Sequence, residues 1–160
     1  INSQYIKKME LTKLCKFNKN YWNEMGWESP SAEWDLKLTN LIQDSMILLK
    51  DAIDQSKPFF ILSQMKKEGK EFLESKKEVK ESLKYILFYL KEANITKVNK
   101  DNAREIINKI TVNHSIKKGI LMKSLRVAFF GCLSGPDLIQ SWELFSENKS
   151  DVSLIERCLI

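Results

Sequence analysis

Four cations crowd ten residues of this chain: Lys117, Lys118, Lys123 and Arg126. Gly119 sits among them, where the pattern expects a loop to give way to a helix. Ammonium groups and the free amides of a helix start both attract phosphate, so the chemistry on offer is anion binding. A solubilising surface cluster explains the charge alone equally well. Arg126 stands out because only Arg104 and Arg157 share its type; lysine fills every other basic position. A guanidinium forks and stacks where an ammonium cannot.

Catalytic chemistry is harder to assemble. His114 is the sole histidine and lies between Asn113 and Ser115, which reads as a solvated loop position rather than part of a nucleophilic triad. Neither GxxxxGK[ST] nor GxGxxG occurs, so no phosphate-cradling loop is recognisable. Cys15, Cys132 and Cys158 are odd in number and far apart, which suggests neither a disulfide framework nor a metal site. Paired carboxylates such as Glu24 and Glu28 read as solvated helix faces. An active site within this chain is not expected.

The elements that must position these residues read as helical nearly throughout. The chain has 160 residues, is 43% hydrophobic and 29% charged, and contains 5 Gly and 3 Pro, a composition that excludes disorder and disfavours a turn-rich β fold. Thr12 is a candidate cap for a helix running to Met25 and stopped by Gly26. Ser31 is a candidate cap for the stripe Trp34, Leu38, Leu41, Ile42, Leu49 and Ile53, with Asp44–Ser45 as an interruption. Ser56-Lys57-Pro58 should end that stripe. A Lys/Glu-rich stretch over 66–84 feeds a helix with Val79, Leu83, Ile86, Leu87 and Leu90 on one face. Asp101 opens a helix with Ala103, Ile106, Ile107 and Ile110; Leu121, Leu125, Ala128 and Phe129 mark another, stopped by Gly131. Gly135-Pro136-Asp137 turns into a helix carrying Leu138, Trp142 and Phe145, and Ser150 caps a last one with Val152, Ile155 and Leu159 inward. No period-two alternation survives. The expectation is an all-α fold of two consecutive helical subdomains, 1–65 and 66–160, divided where composition turns most polar.

Charge supports a binding role for the middle of the chain. The net +5 divides as 0 over residues 1–65, +4 over 66–100, +4 over 101–126 and −3 over 127–160. The longest apolar run, Tyr85 to Leu90, is far short of a membrane span, and the start lacks a signal-peptide pattern. A cytoplasmic chain without membrane contact is expected.

A more specific pattern covers the basic junction. Residues 117–131, KKGILMKSLRVAFFG, followed by Gly135-Pro136-Asp137-Leu138, resemble the K-G-x-L-(F/M)-x-P-L-R-x-A-L-T-G-x-x-x-G-P-x-L segment of the bacterial glutamyl-tRNA synthetase C-terminal region. The opening Asn2-Ser3-Gln4-Tyr5-Ile6 resembles that family's N-x-x-Y-I segment, and Phe59-Phe60 falls where the family tends to carry an aromatic pair. The resemblance extends over essentially the whole chain. It implies a helical anticodon-binding region of a class I aminoacyl-tRNA synthetase, with a tRNA anticodon stem-loop as partner and a monomeric protein. The family's H-I-G-H and K-M-S-K-S motifs are absent, so whether this chain takes part in catalysis is left open. ATP would serve in a part of the enzyme that these residues do not contain, and no cofactor is expected here. Ile1 in place of an initiating Met agrees with a piece of a chain about three times as long, as family size implies.

Site residues carry over one at a time. Arg126 matches the arginine of L-R-x-A, which in the family contacts anticodon bases; a salt bridge across the subdomains is the structural alternative. Gly135, Pro136 and Leu138 match the G-P-x-L turn, where backbone groups and an apolar Leu138 platform would lie against a base; the alternative is a plain turn with Leu138 in the core. Lys117, Lys118 and Lys123 would hold backbone phosphate. Ser45 matches, in a gap-free count, a position where some members use arginine to check the third anticodon base. Three departures stand out: Ser124 replaces the usual proline, Phe130 the usual threonine and Ser134 a frequent histidine. Phe130 is either core or a new stacking surface. A free-standing tRNA-binding module and a helical scaffold without an RNA role are the competing classes.

Overall fold

The computed structural model describes residues 3–160, so Ile1 and Asn2 of the opening segment lie outside the described residues. Among the described residues there are ten α-helices, one short 3-10 helix and no strand, which is the expected all-α class. Contacts group the chain into two compact units, Ile1–Leu62 and Ser63–Ile160.

The first unit holds α1 (Ser3–Lys8), α2 (Leu11–Glu24), α3 (Ala32–Ile42), the 3-10 helix (Gln43–Ser45) and α4 (Asp51–Phe60). Ser31 caps α3 as expected, its hydroxyl accepting from the Trp34 amide at 3.1 Å. Thr12 does not cap α2. Glu10 occupies that position, and the Thr12 hydroxyl donates to its carboxylate at 2.8 Å. Gln43 ties α1 to the 3-10 helix by donating to the Ile6 and Met9 carbonyls at 2.9 and 3.0 Å.

Pro58 does not end a helix; it lies inside α4. Proline there removes a bond to the carbonyl of Asp54, which sits on an exposed face where water can replace it. Packing outweighs that loss. Phe59 is buried, and the Phe60 ring meets Trp22, Trp27 and Trp34 with centroids 5.1 to 5.2 Å away. The aromatic cluster holds the last turn past the proline.

The second unit holds α5 (Lys67–Ser75), α6 (Lys77–Glu92), α7 (Lys100–Asn113), α8 (Lys118–Phe130), α9 (Leu138–Glu147) and α10 (Asp151–Arg157). The helix α8 is its axis: α5, α6, α7, α9 and α10 all pack on it. Its run of Leu121, Leu125, Ala128 and Phe129 is fully buried, which only a helix enclosed on most sides permits. Gly131 ends α8 at φ +73, with its amide bonded to the Val127 carbonyl and its own carbonyl accepting from the Lys66 amide at 2.9 Å.

Three details depart from the periodic reading, each for a packing reason. The Lys/Glu-rich stretch breaks at Lys76, whose backbone is extended. Leu73 and Val79 are both buried, and six residues of unbroken helix would put them on different faces, so one extended residue resets the stripe. Helix α7 begins at Lys100 behind Asn99, which forms a reciprocal capping box with Asn102, one residue before the expected Asp101. Ser150 stands at the cap of α10 without a side-chain cap bond, and Val152 faces out. Asp151 sets that phase: its carboxylate accepts from the Trp142 indole at 3.1 Å, turning Leu154 and Ile155 inward instead. Burial pushes the Asp151 carboxyl above its usual range, against the pull of the Trp142 bond.

Arg157 closes the second unit. Its guanidinium donates to the Ala128 carbonyl at 2.9 and 3.3 Å and also to the Ser63 carbonyl, fixing the first residues of the unit to α8 and α10. Desolvation by burial lowers its pKa.

Candidate nucleic-acid interface

Helix α8 carries the basic junction, and Lys117 is its N-cap, with no side-chain cap bond to its first turn. Lys117, Lys118 and Lys123 are exposed, as expected, but they do not form one cluster. On a helix, 118, 122 and 126 share a face, while 117, 120 and 123 flank another. Lys117, Gly119 and Lys123 line a cleft of about 320 Å³ with Phe72, Ser75 and Lys76. Lys118 lines a separate cleft with Arg104, Asn108 and Met122. Helical phase therefore divides cations that are adjacent in sequence.

The first cleft suits phosphate. Lys76 stands at the start of α6 and Lys117 at the start of α8, neither helix has a side-chain cap, and Lys123 closes the rim. Three lysines thus line one cleft beside the uncapped first turns of two helices, a setting that attracts an anion. Lys76 escaped sequence reasoning because the break that exposes it is masked by unbroken Lys/Glu periodicity.

Arg126 is not free within its own unit. Its Nη1 donates to the Gly135 carbonyl at 3.2 Å and to the Pro136 carbonyl at 2.9 Å. The arginine of α8 and the turn nine residues later thus form one unit, which is the physical link between the two halves of the sequence pattern. Two carbonyls facing one guanidinium nitrogen hold the turn in place and keep Arg126 directed along it.

The turn is shaped by glycine and by the ring beneath it. Gly135 has φ +153, a region closed to other residues, and a Cβ there would come within 2.8 Å of the Phe130 ring. Phe130 is 5% exposed and packs edge-on against Phe145 at 5.7 Å, so it is core and not a stacking surface. Leu138 is 1% exposed. It offers no side-chain platform to a base, because it opens the buried stripe of α9; the part of this turn that faces out is its backbone and Pro136. Asp137 caps α9, its carboxylate accepting from the Gln140 amide at 2.9 Å.

Ser45 closes the 3-10 helix of the first unit and is exposed. The loop after it is ordered by Asp51, whose carboxylate accepts from the Ile47 and Leu48 amides, both at 2.8 Å. His114 ends α7 and is exposed, but its ring is not simply solvated: it lies flat on Tyr85, 3.7 Å away and 6° from parallel. Among the described residues no group of three metal-ligating side chains gathers, and no helix is long and apolar enough to cross a membrane.

Comparison with known proteins agrees with this geometry. The chain is similar to a glutamate–tRNA ligase of Prochlorococcus marinus subsp. pastoris, 94% identical over 99% of this chain and 33% of that protein. It is 79% identical to a glutamate–tRNA ligase of Prochlorococcus marinus strain MIT 9515 over 100% of this chain and 34% of that one. At 42% it matches the ligase of strain NATL2A over 99% of this chain. The chain thus spans about a third of the length of the curated relatives it matches. Among solved structures it superposes on a glutamate tRNA ligase from Elizabethkingia meningosepticum with a TM-score of 0.86 at 21% identity, covering 99% of this chain and 30% of that one. That likeness is one of fold. The family model described as "Anticodon binding domain" matches residues 7–151, and the chain belongs to that family.

Proposed function

We propose that this chain is the anticodon-binding, C-terminal part of a glutamate–tRNA ligase and that it docks the anticodon stem-loop of tRNA. The observation that carries the reading is the Arg126 brace, which joins the two motif pieces into one exposed turn beside exposed lysines. Unstacked loop bases are read by backbone and side-chain groups of this kind, while lysines hold the phosphates. The high identity to named ligases supports glutamate as the amino acid. In the whole ligase, ATP would activate glutamate in a part outside these residues, and the protein would work as a cytoplasmic monomer. Residues 1–65 and 66–160 would be its two anticodon-binding subdomains.

Ser45 adds a point on selectivity. A short hydroxyl cannot span to a base edge as an arginine can. Discrimination between glutamate and glutamine anticodons is therefore expected to be relaxed. Two measurements test the proposal. The full-length protein should shift tRNA-Glu with an affinity that falls steeply with salt, as counterion release requires; salt-insensitive behaviour without a shift favours a scaffold and sinks it. Charging of purified tRNA-Gln should be detectable beside tRNA-Glu, and strong rejection removes Ser45 from the site.

A further inference from the structure

The turn at Gly135 and Pro136 is reached through residues 131–137, which join α8 to α9 without a helix of their own. Glycines with positive φ bracket the first half of this segment, Gly131 at +73 and Gly135 at +153. Each is a pivot, because a glycine backbone populates regions closed to other residues. Freedom left at two such points lets the turn swing, and ordering it on binding then costs conformational entropy. Arg126 holds the turn itself, at the Gly135 and Pro136 carbonyls. The stretch between the pivots, Cys132-Leu133-Ser134, needs an anchor of its own.

The start of α5 supplies it. The Lys66 amide donates to the Gly131 carbonyl at 2.9 Å and pins the first pivot. Gly69 is buried, and a Cβ there would collide with that same carbonyl oxygen, so the first turn of α5 lies against the loop backbone. Glu68 stands between these two contacts. Its Oε1 accepts from the Leu133 amide at 3.2 Å, a bond that joins residues 65 apart in sequence. The Cys132 thiol adds a bond within the segment, to the Ser134 carbonyl at 3.4 Å. Glu68 is exposed, so it contributes little to the core. Its charge is also the wrong sign for an RNA surface, since a carboxylate repels phosphate. What it offers at this place is an acceptor for a backbone amide.

We infer that Glu68 is a positioning residue for tRNA recognition: by holding the Leu133 amide it fixes the stretch between the two glycine pivots, and with it the direction in which the Gly135–Pro136 backbone is presented. The inference rests on the reading that this turn meets the anticodon loop, and it names a residue of α5 on which that contact depends.

The test uses the full-length protein and two readouts. Hydrogen–deuterium exchange over residues 131–137 reports the Leu133 amide in the free protein, and titration with the anticodon stem-loop of tRNA-Glu reports recognition. Glu68→Ala should speed exchange there and weaken stem-loop binding, each about 5-fold, the fold-change of one net hydrogen bond. Melting should stay unchanged. Glu68→Gln keeps an acceptor without the charge and should restore both readouts. Exchange unchanged in Glu68→Ala overturns the anchor. Faster exchange with native affinity, while wild type binds the stem-loop, overturns the positioning role alone. Equal changes of affinity in the alanine and glutamine variants make Glu68 a charge effect and overturn it as well. Melting that falls with affinity in Glu68→Ala and is not recovered in Glu68→Gln makes the residue structural only, which also overturns it. A wild-type protein that does not bind the stem-loop overturns the tRNA-binding reading, and the positioning role with it.

Discussion

Replacing Arg126 separates two roles that one side chain can have. A guanidinium that reads a base is spare in the free protein, so its loss leaves stability alone. A guanidinium that braces a turn stabilises the protein before any RNA arrives. The structure assigns Arg126 to the second role through bonds of 2.9 and 3.2 Å to the Pro136 and Gly135 carbonyls. Hydrogen bonds involving a charged partner contribute ~1.5–3 kcal/mol each. Here one nitrogen serves two carbonyls and the side chain is half-exposed, so screening reduces the expected loss in Arg126→Ala to about 1–2 kcal/mol in all. At ~2–4 °C per kcal/mol for a protein of this size, melting should fall by about 2–8 °C. Arg126→Lys should recover little of it, because an ammonium cannot span both carbonyls.

The assay is urea and thermal unfolding of the free protein, paired with stem-loop binding across loop-base variants. A brace predicts lost stability and an affinity loss shared by every loop sequence, since the whole turn moves. Unchanged unfolding together with lost preference for one base would refute the bracing argument and make Arg126 a reader in its own right.

Three further outcomes follow from neighbouring features. Gly131→Ala should cost ~3 kcal/mol or more in urea unfolding, from a left-handed backbone at φ +73 and a Cβ driven into the Gln64 carbonyl; a loss below ~1 kcal/mol would show that the Gln64 segment yields. Lys123→Ala and Lys76→Ala should each lower the salt slope of RNA binding by ~0.7 without changing base preference, as loss of one phosphate contact to a single strand does; an unchanged slope removes the residue from the phosphate cleft. Asp151→Asn should gain stability relative to wild type as pH rises. The folded carboxyl is raised above its ordinary 3.8, so its contribution is full below 3.8 and is lost as pH climbs through the folded value. Urea unfolding from acid to neutral pH measures the stability of the variant minus that of wild type, and a difference that falls as pH rises contradicts the burial argument.

The helices and their buried faces were legible because each repeats every three to four residues. The ends at Ser31 and Gly131 were legible because capping is a local matter of residue type. What escaped depends on contacts distant in sequence. Pro58 reads as a stop, yet the Phe60 cluster with three tryptophans carries α4 past it. Val152 reads as inward, yet a single bond from Trp142 to Asp151 sets the opposite phase. The site shows the same split. Lys117, Lys118 and Lys123 are visible as charges, but their division between two clefts follows only from what packs on each side of α8.

The departures from the family pattern make sense at the turn itself. Serine at 124 keeps the backbone amide that the usual proline lacks, and its buried hydroxyl donates to the Ile120 carbonyl at 2.7 Å, so α8 runs unbroken to Arg126. Phenylalanine at 130 puts a ring where threonine is usual, directly under Gly135. The turn is then held from two directions, by Phe130 packing beneath it and by the Arg126 guanidinium along its carbonyls. A ring that fills this space leaves Gly135 no room for a side chain. The unusual Phe130 therefore strengthens the demand for the usual Gly135, and the turn keeps its backbone shape although a hydroxyl has gone from its surroundings.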